Sequence, residues 1–233
     1  MQAVILAAGR GTRMGGLTHE TPKPLLKIRG RAILEYTLAN LPKEISEVIF
    51  IIGYNGHKIR EHFGDEFQGK KLYYVWQLRM DGTAGAVYLA RNLVRGKFIV
   101  LNGDDLYHHD DLKKIIKHEM AVMVKEVDDP GRFGVMEIDS DGHLIQIVEK
   151  PSQPLNNLVN TGVYILDKRI FFFPMVKISE KEYGLPQTLA KMAQDNNYKV
   201  KVERASFWHS NTRANDLEKA EEIIENFYNK KFV

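Results

Sequence analysis

The 233-residue sequence contains no cysteine. Disulfides, thiolate nucleophiles and cysteine-held zinc or iron–sulfur centres are thereby excluded, and a reducing compartment is compatible with that composition. Long apolar runs are missing too: none reaches the ~18 residues that a membrane helix needs. Excess charge is the third absence, because 33 Lys+Arg against 30 Asp+Glu leave a net +3. So small an excess makes neither nucleic acid nor an anionic membrane the expected partner. No basic leader precedes the first apolar segment at Ala3, so no signal peptide is expected and a cytoplasmic protein is. The sequence shows no long linker, no low-complexity tract and no hexapeptide repeat. The expectation is one domain over 1–233 with no β-helical domain attached.

What is present is an ordinary globular composition, 44% hydrophobic and 27% charged, far from that of a disordered chain. Short apolar runs at 3–8, 48–52, 72–77 and 98–101 read as buried strands. Amphipathic stretches at 33–41, 57–63 and 83–93 separate them. This alternation predicts an α/β fold, a mixed but mainly parallel sheet flanked by helices. After Asp104 the strand-like segments 122–127, 134–138, 144–149 and 162–166 follow one another with turn signals between them, a partly antiparallel half. Residues 216–230 carry Leu217, Ala220, Ile223, Ile224, Phe227 and Tyr228 on one stripe, which predicts a final helix with Asp216 as its N-cap.

The most informative stretch is Leu6-Ala7-Ala8-Gly9-Arg10-Gly11-Thr12-Arg13-Met14, followed by Thr21-Pro22-Lys23-Pro24. Glycines after a first strand let the backbone turn sharply and aim several N–H groups at one anion. Arg13 and Lys23 add two cations suited to a polyphosphate. The dinucleotide fingerprint is excluded because Met14 stands where its third glycine belongs. The prolines at 22 and 24 also leave no room for the long helix that should follow. A P-loop is excluded because Leu17 occupies the lysine position.

Together, Leu6–Met14 and the Pro-Lys-Pro segment resemble the signature of the sugar-1-phosphate nucleotidylyltransferases. The resemblance implies a glycosyltransferase-A-like, Rossmann-like fold and the reaction NTP + sugar-1-phosphate ⇌ NDP-sugar + pyrophosphate. It assigns Leu6, Ala8, Gly9, Gly11, Thr12, Arg13 and Lys23 to the nucleotide. Gln77 and Gly82, with Thr83, are implied to read the base edge. A Gln amide can pair bidentately with a pyrimidine amide, which leans towards UTP or dTTP. Asp104, at the carboxyl end of the strand at 98–101, matches the family's magnesium ligand, and hard oxygen donors suit Mg²⁺. Asp105 is read as capping a loop or orienting the site. Gly134, Glu149, Lys150, Asn160 and Tyr164 match the sugar-phosphate segments, with Lys150 on the phosphate.

One landmark departs from the pattern. Many members carry Trp-x-Asp near the end, the Asp being the second metal ligand. Trp208-His209-Ser210 places serine there, and Asn211 is taken as the substitute ligand. Asp110-Asp111 is read as a helix N-cap, and His108, His109 and His209 as solvated loop residues. Arg13, Lys23, Asp104 and Lys150 form the implied catalytic set for direct in-line displacement. Two alternatives stay open: a nucleotide-sugar-binding regulatory protein of the same fold, and a CTP-dependent phosphocholine-type cytidylyltransferase. Phe171-Phe172-Phe173 is read as core, with a homo-oligomer left open.

Overall fold

The computed structural model describes residues 1–196 and 198–227. It contains a ten-stranded sheet whose parallel first half is made by β1 (Gln2–Ala7), β2 (Glu47–Ile52), β3 (Lys70–Trp76) and β4 (Phe98–Asn102). β1 pairs in parallel with β2 and with β4, and β2 pairs in parallel with β3. The chain therefore starts in the middle, runs out to β3, and returns to the other side of β1. The crevice beyond the carboxyl ends of β1 and β4 is the switch point at which open α/β sheets bind ligands. The loop after β1 holds the glycines, and the turn after β4 holds Asp104.

Successive strand residues point to opposite faces, and the central strands obey this rule residue by residue. Val4, Ile49, Ile51, Phe98 and Val100 enter one core. Ala3, Ile5, Val48, Phe50, Ile52, Ile99 and Leu101 enter the other. The first core is covered by α3 (Gly82–Tyr88) and α5 (Leu185–Asn196), through Ala84, Val87, Leu185 and Leu189. The second is covered by α1 (Ile33–Asn40), α2 (Gly56–Phe63) and α4 (His109–Ile115), through Leu38, Ile59, Phe63 and Leu112. Nearly continuous apolar strands are what a sheet buried on both faces requires.

The second half is mainly antiparallel, the pairing of its last sheet strand being parallel. β6 (Ala121–Glu126) and β9 (Leu158–Leu166) pair with each other. β7 (Gly134–Ile138) and β8 (Leu144–Glu149) form a hairpin joined to β9. β9 in turn pairs with β4 and so joins this half to the parallel one. β5 (Asp105–Tyr107) and β11 (Trp208–Ser210) form a separate two-stranded ribbon that sets Ser210 opposite Asp105. β10 (Lys201–Arg204) pairs with β6.

The last helix, α6 (Ala214–Phe227), starts two residues earlier than expected. Asp216 lies in its first turn, where its carboxylate accepts from the Thr212 and Arg213 N–H groups at 2.8 and 2.7 Å. It satisfies orphan donors from inside the helix and not from the cap position. The expected stripe residue Tyr228 falls outside the described residues. Ala220 and Ile224 of α6 pack in a third cluster with Met14 and Leu106, so the C-terminal helix lies under the glycine-rich loop. At α4 the cap is His108, whose Nδ1 accepts from the Asp110 N–H at 3.3 Å. Asp111 accepts instead from Ser206 and Phe207 at 2.8–3.0 Å.

Candidate active site

The glycine-rich loop leaves β1 and is held in place from below. Gly11 takes a left-handed conformation, φ 65°, and its carbonyl accepts from Thr18 Oγ1 at 3.0 Å. Buried Met14 ties the loop to the third core cluster. Pro22 and Pro24 bracket Lys23 in a single helical turn, and the Lys23 stem is buried. Its ammonium pairs with Asp104 Oδ2 across the crevice. Leu6, Gly9, Gly11, Arg13, Lys23, Asp104 and Thr212 line this cleft together. The sequence-predicted cation and carboxylate thus meet face to face, although 81 residues separate them.

Arg13 and Thr212 also border a larger cavity of about 510 Å³. Gly134, Glu149, Lys150 and Asn160 open onto it with Thr83 at its edge. Lys150 has a left-handed backbone, φ 45°, which costs a residue with a Cβ about 1–2 kcal/mol. Its N–H donates to the Phe133 carbonyl at 3.0 Å, holding that turn. The ammonium stands 3.8 Å from Glu149, with both side chains about half exposed, a pairing too loose to immobilise either group. Tyr164 is buried behind the cavity, and its hydroxyl accepts from Asn160 Nδ2 at 2.6 Å. Tyr164 therefore orients Asn160 and does not itself line the cavity.

On the other side of the loop, Arg10 stacks over Tyr54 at 5.6 Å and borders a third hollow with Trp76, Gln77, Leu78 and Met80. Thr12 faces the hollow between Arg10 and His19. Ala8 is buried at the loop's root. Gly82 begins α3 pressed against the Tyr183 backbone, where a Cβ would lie 2.4 Å from the Tyr183 carbonyl oxygen. Gln77 and Gly82 are therefore not in the Lys23 cleft. They lie farther along the same edge of the sheet.

Asp105 was underestimated by the sequence. It is buried on β5, and its Oδ2 accepts from Trp208 Nε1 at 3.3 Å and from Asn102 at 3.4 Å. Burial, reinforced by the adjacent Asp104 charge, pushes its carboxyl up to about 7 against the opposing pull of Lys23. Trp208 stacks edge-on against Phe133 at 5.3 Å. The ribbon of β5 and β11 thereby lines the larger cavity with Asp105, Trp208 and Ser210. His109 donates to the Asn40 carbonyl at 3.0 Å, and His209 donates to the Asp216 carbonyl at 2.8 Å. Burial lowers the His209 pKa, so these histidines are not the solvated loop residues the sequence predicts.

Asn211 is fully buried, and its Nδ2 donates to the Asp104 backbone carbonyl at 2.9 Å. Among the described residues its Oδ1 is a buried acceptor with no hydrogen-bond partner, whereas Ser210 and Thr212 on either side face the cavity. An orphaned carbonyl oxygen on a side chain bonded to the Asp104 backbone is a hard oxygen donor of the kind magnesium takes, and the Asp104 carboxylate in the cleft is another. An exposed turn also brings Asp139, Asp141 and His143 together. There Asp139 Oδ1 already accepts from two N–H groups at 2.9 and 2.8 Å, as a turn-forming residue does.

Fold and crevice define a Rossmann-like α/β protein whose glycine-rich loop faces a lysine–carboxylate pair at the sheet's switch point. The chain belongs to the nucleotidyl transferase family, whose family model matches residues 2–226. It is 34% identical over 226 residues to the bifunctional protein GlmU of Methanocaldococcus jannaschii, covering 96% of this chain and 54% of that one. The chain thus spans about half the length of that relative. It is 33% identical over 211 residues to the D-glycero-alpha-D-manno-heptose 1-phosphate guanylyltransferase of Campylobacter jejuni, covering 89% of this chain and 91% of that protein. A UDP-glucose pyrophosphorylase from Acinetobacter baumanii shares the fold, with TM-score 0.84, 21% identity and coverage of 96% and 92%. No helix among the described residues is long and apolar enough to cross a membrane.

Proposed function

We propose that the chain is a single nucleotidyltransferase domain joining a nucleoside triphosphate, UTP or dTTP, to a sugar-1-phosphate with release of pyrophosphate. The observation that carries this reading is the row of separate cavities around the glycine-rich loop. Arg10 of the glycine-rich loop borders the Gln77 hollow, the loop's Gly9 and Gly11 line the cleft with Lys23 and Asp104, and Arg13 is shared between that cleft and the Glu149–Lys150–Asn160 cavity. That order matches base, triphosphate and sugar phosphate.

The chemistry needs positioning and charge neutralisation above all. A sugar-1-phosphate is largely dianionic near neutral pH, given a second phosphate pKa of about 6. Its oxygen can therefore attack the α-phosphorus without a general base. The new P–O bond forms as the bond to the bridging oxygen breaks, and pyrophosphate departs. Lys150 holds the attacking phosphate, its side chain free to follow the substrate. Arg13 and Lys23 neutralise charge on the triphosphate. Asp104 and Asn211 Oδ1 are the groups that would hold magnesium, which supplies further neutralisation of the phosphates when bound.

Ser210 in place of a carboxylate favours one rival, a nucleotide-sugar-binding regulatory protein without turnover. Incubation with Mg²⁺, UTP or dTTP and glucose-1-phosphate, followed by chromatography, separates the two. Formation of nucleotide-sugar supports the enzyme. Thermal stabilisation by nucleotide with no product supports the regulator.

A further inference from the structure

Resting on the reading that the hollow beyond Arg10 takes the nucleobase, we propose that Asp81 is a positioning residue that fixes the Gln77 amide. The pocket then selects bases whose ring nitrogen carries hydrogen (uracil, thymine, guanine) over cytosine and adenine.

The hollow is lined by exposed apolar groups, Trp76, Leu78 and Met80, and Gln77 lies at its base, only 6% exposed. A Gln amide nitrogen carries two hydrogens. One donates to Asp81 Oδ1 at 2.8 Å and the other to the Gly82 carbonyl at 3.2 Å. Both donors are spent inside the protein, so the carbonyl oxygen is the atom left to meet a ligand. Flipping the amide would set that oxygen against a carboxylate and a carbonyl, two acceptor–acceptor contacts with buried groups left unpaired. Bidentate pairing with the base, expected from the sequence, is thereby replaced by a single fixed acceptor. A base seated with its ring nitrogen at that acceptor must carry N–H there. Uracil and thymine N3 and guanine N1 do, whereas cytosine N3 and adenine N1 are bare acceptors.

Asp81 is itself held by packing. A Cβ on Gly85, one turn into α3, would lie 2.2 Å from Asp81 Oδ1. The missing side chain at Gly85 is the seat of the Asp81 carboxylate, so a second, independent substitution can evict it.

The test measures pyrophosphate release and, separately, nucleotide-induced thermal shift for UTP, dTTP, GTP, CTP and ATP. The proteins are the unaltered chain, Asp81→Ala, Asp81→Asn and Gly85→Ala. The unaltered chain should favour the three N–H-bearing bases. Asp81→Ala and Gly85→Ala should each reduce the UTP-to-CTP ratio about tenfold, the worth of one hydrogen bond exchanged for a repulsion. Asp81→Asn, which keeps an acceptor, should preserve most of that ratio. A loss shared equally by all five nucleotides would overturn the proposal, because a residue that merely holds α3 lowers them together. So would an unaltered chain that takes CTP or ATP as well as UTP. Absence of pyrophosphate from every nucleotide would refute the transfer reaction, while the thermal-shift ranking would still judge Asp81. A chain stabilised by no nucleotide would overturn both.

Discussion

Alanine placed in turn at Gly9, Gly11 and Gly15 separates the parts of the phosphate-loop geometry. Gly11 has φ 65°, and an added Cβ would lie 3.0 Å from Thr18 Cγ2 and 3.1 Å from Lys23 Cβ. Neither neighbour can step aside: Thr18 is buried and bonded to the Gly11 carbonyl, and the Lys23 ammonium is held by Asp104. The left-handed backbone costs alanine about 1–2 kcal/mol, and the crowding adds about 1–3 kcal/mol. Gly15, φ 61° and ψ −139°, sits in a region that only glycine adopts readily and has nothing within 4 Å of its would-be Cβ, so only the backbone cost applies, about 1–3 kcal/mol. Gly9 meets nothing within 4 Å and is not left-handed, so its substitution should stay within about 0.5 kcal/mol. At about 2–4 °C per kcal/mol for a chain of this size, melting should fall by roughly 4–20 °C for Gly11→Ala. The fall should be roughly 2–12 °C for Gly15→Ala and under about 2 °C for Gly9→Ala. Gly9 nevertheless lines the cleft, so Gly9→Ala should weaken nucleotide binding while leaving the fold intact. Thermal melts with and without UTP measure both effects. Equal melting losses at the three positions would refute the idea that the loop is built around the Lys23 stem.

Two further outcomes follow from the charge pairs. Lys23→Ala, Asp104→Ala and the double variant form a cycle in which the two costs should be non-additive by about 1 kcal/mol in urea denaturation. Additive costs would mean that the pair does not form in solution. Burial works against the Glu203 charge, but hydrogen bonds from Lys114 and His118 outweigh it and hold its carboxyl below the usual range. A carboxyl depressed on folding adds stability above its unfolded pKa of about 4.3 and loses it as pH falls through the folded value. Glu203→Gln should therefore be less stable than the parent by about 1 kcal/mol at pH 7, with the gap closing below about pH 4. A gap of constant size across that range would exclude the linkage.

The sheet was legible because β1, β2 and β4 are buried on both faces, and short apolar runs between amphipathic stretches have few other uses. The hairpin strands Gly134–Ile138 and Leu144–Glu149 coincide with the segments the sequence predicts. Where polar atoms compete for the same role, residue types alone did not decide. His108 and not an aspartate caps α4, because Asp111 is drawn to the backbone of Ser206 and Phe207, 95 residues away and more. Asp104 and Asp105 are chemically identical neighbours. Only the pairing of β5 with β11 sends the second of them into a buried pocket under Trp208. The cap position of Asp216 was lost to a helix that begins at Ala214. The packing of α6 beneath the glycine-rich loop depends on contacts across some two hundred residues, which local periodicity does not encode.

The most direct measurement is the rate of pyrophosphate release by the purified chain and by Asp104→Ala, each given Mg²⁺, UTP and glucose-1-phosphate. Steady release by the parent, lost on removal of the single carboxylate that meets Lys23 across the loop, is the expected result. Release undiminished in Asp104→Ala would contradict the placement of the reaction in that crevice.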